Sequence, residues 1–156
     1  MSAIIIRPMT PADAEVAARH RVQMFADMGE ATLEALEPMR VAFIDWAREA
    51  LANGTYRGWC AEDDAQIVAG AGLMMLDWPP IIGYPHPHVR GHIVNVYTER
   101  SHRKRGIARQ LMQTIIDHCQ AQGIPIITLN ASSEGQPVYE ALGFHISKQP
   151  EMRLRV

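Results

Sequence analysis

Apolar and polar positions along the chain follow two different periods, and the switches between them mark out its elements. Ala3–Arg7 (AIIIR) is a β-branched run that reads as a first strand. Thr10 then offers an N-cap, Pro11 a first helical position and Asp13 the partner in a variant capping box. The helix they open carries Ala14, Ala17, Ala18, Val22 and Phe25 on one face and stops near Gly29. A second helical pattern runs through LEALEPMRVAFIDWAREALANG, with Leu33, Leu36, Val41, Ile44 and Leu51 on one face and Asn53-Gly54 closing it. Pro38 is expected to start, kink or split that segment.

Beyond it the period shortens to two. TYRGWCAE and QIVAGAGLMML read as strands around the turn EDDA. Residues 77–90 (DWPPIIGYPHPHVR) hold four prolines and must be a loop. Gly91–Thr98 is a further strand, and Arg105–Gln122 an amphipathic helix with Ile107, Leu111, Ile115 and Cys119 aligned and Gly123 ending it. PIITLNA reads as a strand and EGQPVYEALG as a short helix, after which FHISK and EMRLRV are expected to complete the sheet. No repeat or linker breaks this order, which predicts one mixed α/β domain over residues 1–156.

Composition narrows the function classes. At 156 residues, 47% apolar and 21% charged, the chain is a globular domain with room for a real core. A net charge of −2 argues against a general nucleic-acid binder, so any anion site must be local. The two cysteines, Cys60 and Cys119, lack metal or redox spacing and read as buried small residues in a reducing compartment. No apolar stretch approaches the ~20 residues of a membrane span, and MSAIIIRPMT lacks a signal-peptide pattern. A soluble cytoplasmic protein is expected.

One local site stands out. Five of the fifteen Lys and Arg residues (Arg100, Arg103, Lys104, Arg105 and Arg109) fall within ERSHRKRGIARQLM, between a strand and a helix. The first amides of a helix lack internal partners and sit at the positive end of its dipole. Gly106 would let a ligand approach that backbone, and small Ala108 would leave the next turn clear. This chemistry suits a pyrophosphate. Neither a Walker loop nor a GxGxxG dinucleotide fingerprint is present, and a solvated basic helix start is the plain alternative.

RKRGIA resembles the [RQ]xxGx[GA] pyrophosphate loop of the GNAT superfamily of N-acetyltransferases, through Arg103, Gly106 and Ala108. YEALGF, Tyr139–Phe144, resembles the YxxxGF element of the same family, and the order of strands, helices and motifs agrees over residues 92–146. The resemblance implies a single-domain GNAT-like fold, with splayed central strands in a mixed sheet of about six or seven strands flanked by helices. It implies acetyl-CoA as acetyl donor and the primary amine of a small molecule as acceptor, with direct attack in a ternary complex.

Residue by residue, the resemblance places Val96, Tyr97 and Thr98 beside the pantetheine arm, where amides pair as in strand addition. A backbone N–H near Val96 would polarise the thioester carbonyl. Arg103, Lys104, Arg105, Gly106, Ile107, Ala108 and Arg109 would meet pyrophosphate, and Asn130 resembles a cofactor-contacting position. Tyr139 matches the general acid that protonates the departing thiolate. For the base, His92 is preferred and Glu99 competes with it. Trp78, Tyr84, His86 and His88 are expected to line an acceptor pocket, with no metal, since structural zinc usually needs four ligands.

Two other readings remain. A non-catalytic acyl-CoA-binding or regulatory module on the same fold would keep RKRGIA but need no Tyr139. A nucleic-acid binder would need aromatics within the basic stretch, which has none. No nucleic-acid or membrane partner is expected, and the family resemblance leaves room for a homodimer.

Overall fold

The computed structural model describes residues 3–86 and 88–156. Met1, Ser2 and Pro87, the last a member of the expected proline-rich loop, lie outside the described residues. In chain order come β1 (Ile5–Pro8), α1 (Ala14–Asp27), α2 (Leu33–Asn53), β2 (Tyr56–Asp63), β3 (Gln66–Asp77), β4 (Val89–Thr98), α3 (Ile107–Ala121), β5 (Ile127–Leu129) and α4 (Gln136–Ala141). One sheet takes the strands in sequence order; β1 to β4 pair antiparallel and β5 joins β4 in parallel.

The expected start signal of α1 is present. The Asp13 carboxylate accepts from the Thr10 backbone N–H at 2.7 Å and the Thr10 hydroxyl at 3.1 Å. Its other partner is Arg7, at 3.0 Å, which fastens this turn to β1. Between β2 and β3, Asp64 and Ala65 both take left-handed backbone (φ 48° and 62°), the two-residue hairpin whose twist suits paired strands.

Helix α2 is continuous through Pro38, which neither splits nor starts it. Pro38 removes only the bond to the Glu34 carbonyl, near the helix start and on an exposed face where solvent can replace it. The buried stripe is Leu36, Phe43, Ala47 and Ala50, while Leu33 and Val41 are exposed. The inward face is therefore rotated from the expected one, because small alanines set the close approach to Ala14, Ala17 and Ala18 of α1.

On the other side of the sheet, Leu73 and Ile93 pack with Ile107, Leu111, Met112, Ile115 and Cys119 of α3. Cys60 and Cys119 are both free and fully buried. Among the described residues no helix is long and apolar enough to cross a membrane.

Two departures matter most. Residues 144–156 form no strand, so the described sheet has five strands and not six or seven. The alternation in EMRLRV suits a strand, but Met152 and Leu154 are 92% and 84% exposed and pack on nothing that would fix a register. The second departure is in β4. Its pairing with β5 covers only Gly91–Ile93, and from Val94 onward it has no neighbour on that side. Opposite Ala71 a bulge places both Asn95 and Val96, with Asn95 at φ 58°. Beyond Ile93, where β5 ends, β4 is therefore left with an unpaired edge among the described residues.

Candidate active site

The loop between β4 and α3 is shaped by two left-handed residues, Lys104 (φ 62°) and Gly106 (φ 76°). The first bond of α3 runs from the Gln110 amide to the Gly106 carbonyl at 3.1 Å. The amides of Gly106, Ile107, Ala108 and Arg109 therefore have no internal partner, and the space above Gly106 is open for 4 Å.

Three of the five cations hold the loop in place. Asp27, at the end of α1, pairs with Arg100 at 2.7 Å and Arg103 at 2.6 Å, and Arg103 also donates to the Thr98 carbonyl at 3.0 Å. Asp63 takes Arg105 at 2.8 Å and His102 at 3.3 Å. Hydrogen bonding from Arg100 leads the causes that hold the Asp27 carboxyl far below the usual carboxylate range. Lys104 and Arg109 make no ion pair among the described residues and are exposed beside the amides. Arg103 and Arg105 thus brace the loop in addition to lending it charge.

The unpaired half of β4 leads directly into this loop. Val96 packs against the α3 side of the core, while Tyr97 is buried with its ring 5.2 Å from that of His20. The Thr98 hydroxyl is buried without a hydrogen-bond partner. The unpaired edge of β4, the Thr98 hydroxyl and the first amides of α3 are polar groups left without partners among the described residues. The residues present fit the amides and pyrophosphate of an acyl-CoA.

Tyr139 is buried at 8% exposure, edge-on to Phe144 with centroids 6.2 Å apart. A Cβ at Gly135 would meet its hydroxyl at 3.0 Å, so this glycine makes room for the ring. The hydroxyl makes no hydrogen bond among the described residues, and burial raises its pKa. It is a neutral, protonated donor at working pH. Asn130 donates to Glu151 at 3.0 Å in an exposed hydrogen bond.

The two candidate bases sit at opposite ends of β4. Gly91 and Ile93 face α3, so His92 points to the α1–α2 face; its Nδ1 lies 2.8 Å from the Thr128 hydroxyl. Burial is the main cause that lowers its pKa, with Glu151 opposing and Arg90 assisting. Glu99 is tied to Arg19 at 3.0 Å and to buried His20 at 3.3 Å. Both contacts are to the same carboxylate oxygen, Oε1.

Among the described residues, the proline-rich loop encloses only a small cavity. Trp78 lies under the Arg90 guanidinium at 3.8 Å, and the cavity it shares with Ile81 and Tyr84 is about 10 Å³, the room of a single water. His86 and His88 stack on each other at 4.8 Å. Among the described residues no three His, Cys, Asp or Glu side chains are grouped to hold a metal ion.

Sequence reasoning missed a polar chain on the α1–α2 face. Arg21 of α1 donates to the Asn95 side-chain carbonyl, and the Asn95 amide donates to the Tyr56 hydroxyl at 3.1 Å. Tyr56 reaches that far only because Gly72 has no side chain. The available signals were an asparagine inside an apolar strand and glycines within GAGL, which mark close approach.

A strand parted from its parallel neighbour and feeding a helix with bare amides defines a CoA-dependent acyltransferase cleft. The chain belongs to the GNAT acetyltransferase family: residues 22–144 match the family model described as "Acetyltransferase (GNAT) family". Members of that family use acetyl-CoA as acetyl donor. The crystal structure of a GCN5-related N-acetyltransferase from Ralstonia eutropha JMP134 is 35% identical, covers 97% of this chain and 99% of its own, and superposes with a TM-score of 0.88. A predicted acetyltransferase from Clostridium acetobutylicum, crystallised with acetyl-CoA, is 26% identical with a TM-score of 0.86, covering 98% of this chain and 96% of its own. N-acetyltransferase 8 of Homo sapiens is 24% identical over 89 residues, 55% of this chain and 37% of the human protein. The match thus spans little more than a third of that relative's length.

Proposed function

We propose that the chain transfers the acetyl group of acetyl-CoA to the primary amine of a small molecule, by direct attack in a ternary complex. The observation that carries this reading is the unpaired half of β4 running straight into the bare N-terminus of α3. In this reading the amides of Gly106–Arg109, with Lys104 and Arg109, take the pyrophosphate, and Val96, Tyr97 and Thr98 pair with the pantetheine arm. The backbone near Val96 polarises the thioester carbonyl. His92 removes a proton from the acceptor ammonium; its nitrogen then attacks the carbonyl carbon, and the C–S bond breaks. Tyr139 donates its proton to the departing thiolate, and the second proton that the acceptor nitrogen sheds as the amide forms restores the Tyr139 hydroxyl through solvent. The two buried, unpaired cysteines support a reducing, cytoplasmic setting.

A panel of primary amines with acetyl-CoA, read as release of free thiol, tests the reading. Acetyl-CoA should bind and at least one amine should be turned over. Tight acetyl-CoA binding with no turnover across the panel would favour an idle acyl-CoA-binding module.

A further inference from the structure

Arg21 is poorly accounted for as a packing residue. Its guanidinium carbon lies 4.9 Å from the Phe25 ring centroid of α1 and 5.4 Å from that of Phe43 of α2. No carboxylate among the described residues pairs with it, whereas Arg100, Arg103 and Arg105 each have one. Burial pulls its pKa below the ordinary arginine range, with Tyr56 opposing, yet an arginine stays charged. A half-buried cation without a counter-charge is costly unless something supplies one.

The group is also held in position. Of its five N–H donors one is committed, from Nη1 to Asn95, and Asn95 is braced in turn by Tyr56 crossing over Gly72. That leaves the edge formed by Nε and Nη2, two parallel donors spaced to meet both oxygens of a carboxylate. Asn95 is the bulge residue itself, adjacent to the backbone at Val96 where the thioester carbonyl is expected.

We infer that the acceptor is an amine that also carries a carboxylate, an amino acid, whose carboxylate is held by Arg21 while its amine meets the thioester at the β4 bulge. The inference rests on the acetyl-transfer reading above. It names Arg21 as a specificity-determining residue, with Asn95 and Tyr56 positioning it.

The test compares matched acceptors in the intact chain: the common L-amino acids, their carboxamides, their decarboxylated amines, and phosphoethanolamine, each with acetyl-CoA. Accepted amino acids should exceed their amides by at least about thirtyfold in kcat/KM, the scale of losing one partner of a desolvated charge pair. In Arg21→Gln that ratio should collapse toward one through KM, with kcat and acetyl-CoA affinity little changed. Arg21→Lys should keep part of the preference. A misfolded or merely loosened variant would lower acid and amide alike and leave the ratio intact. Equal use of acids and amides by the parent, a preference for the phosphorylated amine, or an unchanged ratio in Arg21→Gln would each overturn the inference while leaving acetyl transfer standing. Failure to acetylate any amine would overturn both.

Discussion

The Tyr56 hydroxyl occupies the place where a side chain at residue 72 would begin: a Cβ built on Gly72 would overlap it. Tyr56 is 1% exposed and cannot yield sideways, with Trp46 at 5.1 Å between ring centroids. Gly72→Ala should therefore cost about 1–3 kcal/mol or more, as overpacking does, and lower the melting temperature. It should also free Asn95 and Arg21. A variant as stable as the parent would show that the ring has another rotamer available.

Gly106→Glu puts a carboxylate where the pyrophosphate is expected. The site is open, so the cost to folding is the left-handed backbone alone, on the order of 1 kcal/mol. Acetyl-CoA binding should be lost from a folded protein, as read by calorimetry alongside a melting curve. Unchanged affinity would remove the helix start from the cofactor site.

Asp27 gathers Arg100 and Arg103, so Asp27→Asn should loosen residues 99–106 and weaken acetyl-CoA binding without touching the ligand. Faster amide exchange confined to that loop is the expected signature. Since its folded pKa is depressed, its contribution to stability is present above the ordinary carboxylate value of ~3.9 and is lost as pH falls through and below it. The acid limb of the stability curve should be shallower in the variant.

Tyr139→Phe keeps the ring packing against Phe144 and deletes a proton donor. Turnover should fall by roughly 10²–10⁴ while acetyl-CoA affinity stays close to the parent's. Undiminished turnover would return Tyr139 to a packing role.

His92 must be neutral to accept a proton, so activity should rise with pH through its pKa. Burial lowers that pKa, which puts the limb below the ordinary imidazole value of ~6.5. His92→Gln should remove the limb, and Glu99→Gln, which breaks contacts to Arg19 and His20, should not. A limb surviving in His92→Gln but absent from Glu99→Gln would reverse the assignment; one surviving in both would belong to the amine.

The elements legible in the sequence are those whose signal is local. The Thr10–Asp13 start, the hairpin at Asp64-Ala65 and the stripe of α3 each follow from a few neighbouring residues. The inward face of α2 was not legible, because it depends on alanines meeting α1 and not on its large apolar side chains. EMRLRV carries a strand pattern, but pairing needs a partner that lies elsewhere in space. For the same reason the motif around Gly106 was visible and its bracing by Asp27 and Asp63 was not. The contacts around Arg21 join α1, α2, β2, β3 and β4, and no short window contains them.

The two cysteines have a practical consequence at the bench. Both are fully buried, and burial lifts each thiol to about 11, so at pH 8 only roughly one in a thousand is ionised, and none of it is exposed to reagent. A disulfide-exchange dye should therefore find the folded protein silent and report coenzyme thiol alone. The same dye added in denaturant would count two sulfurs per chain, so a single reagent reads turnover from the native protein and unfolding from its loss.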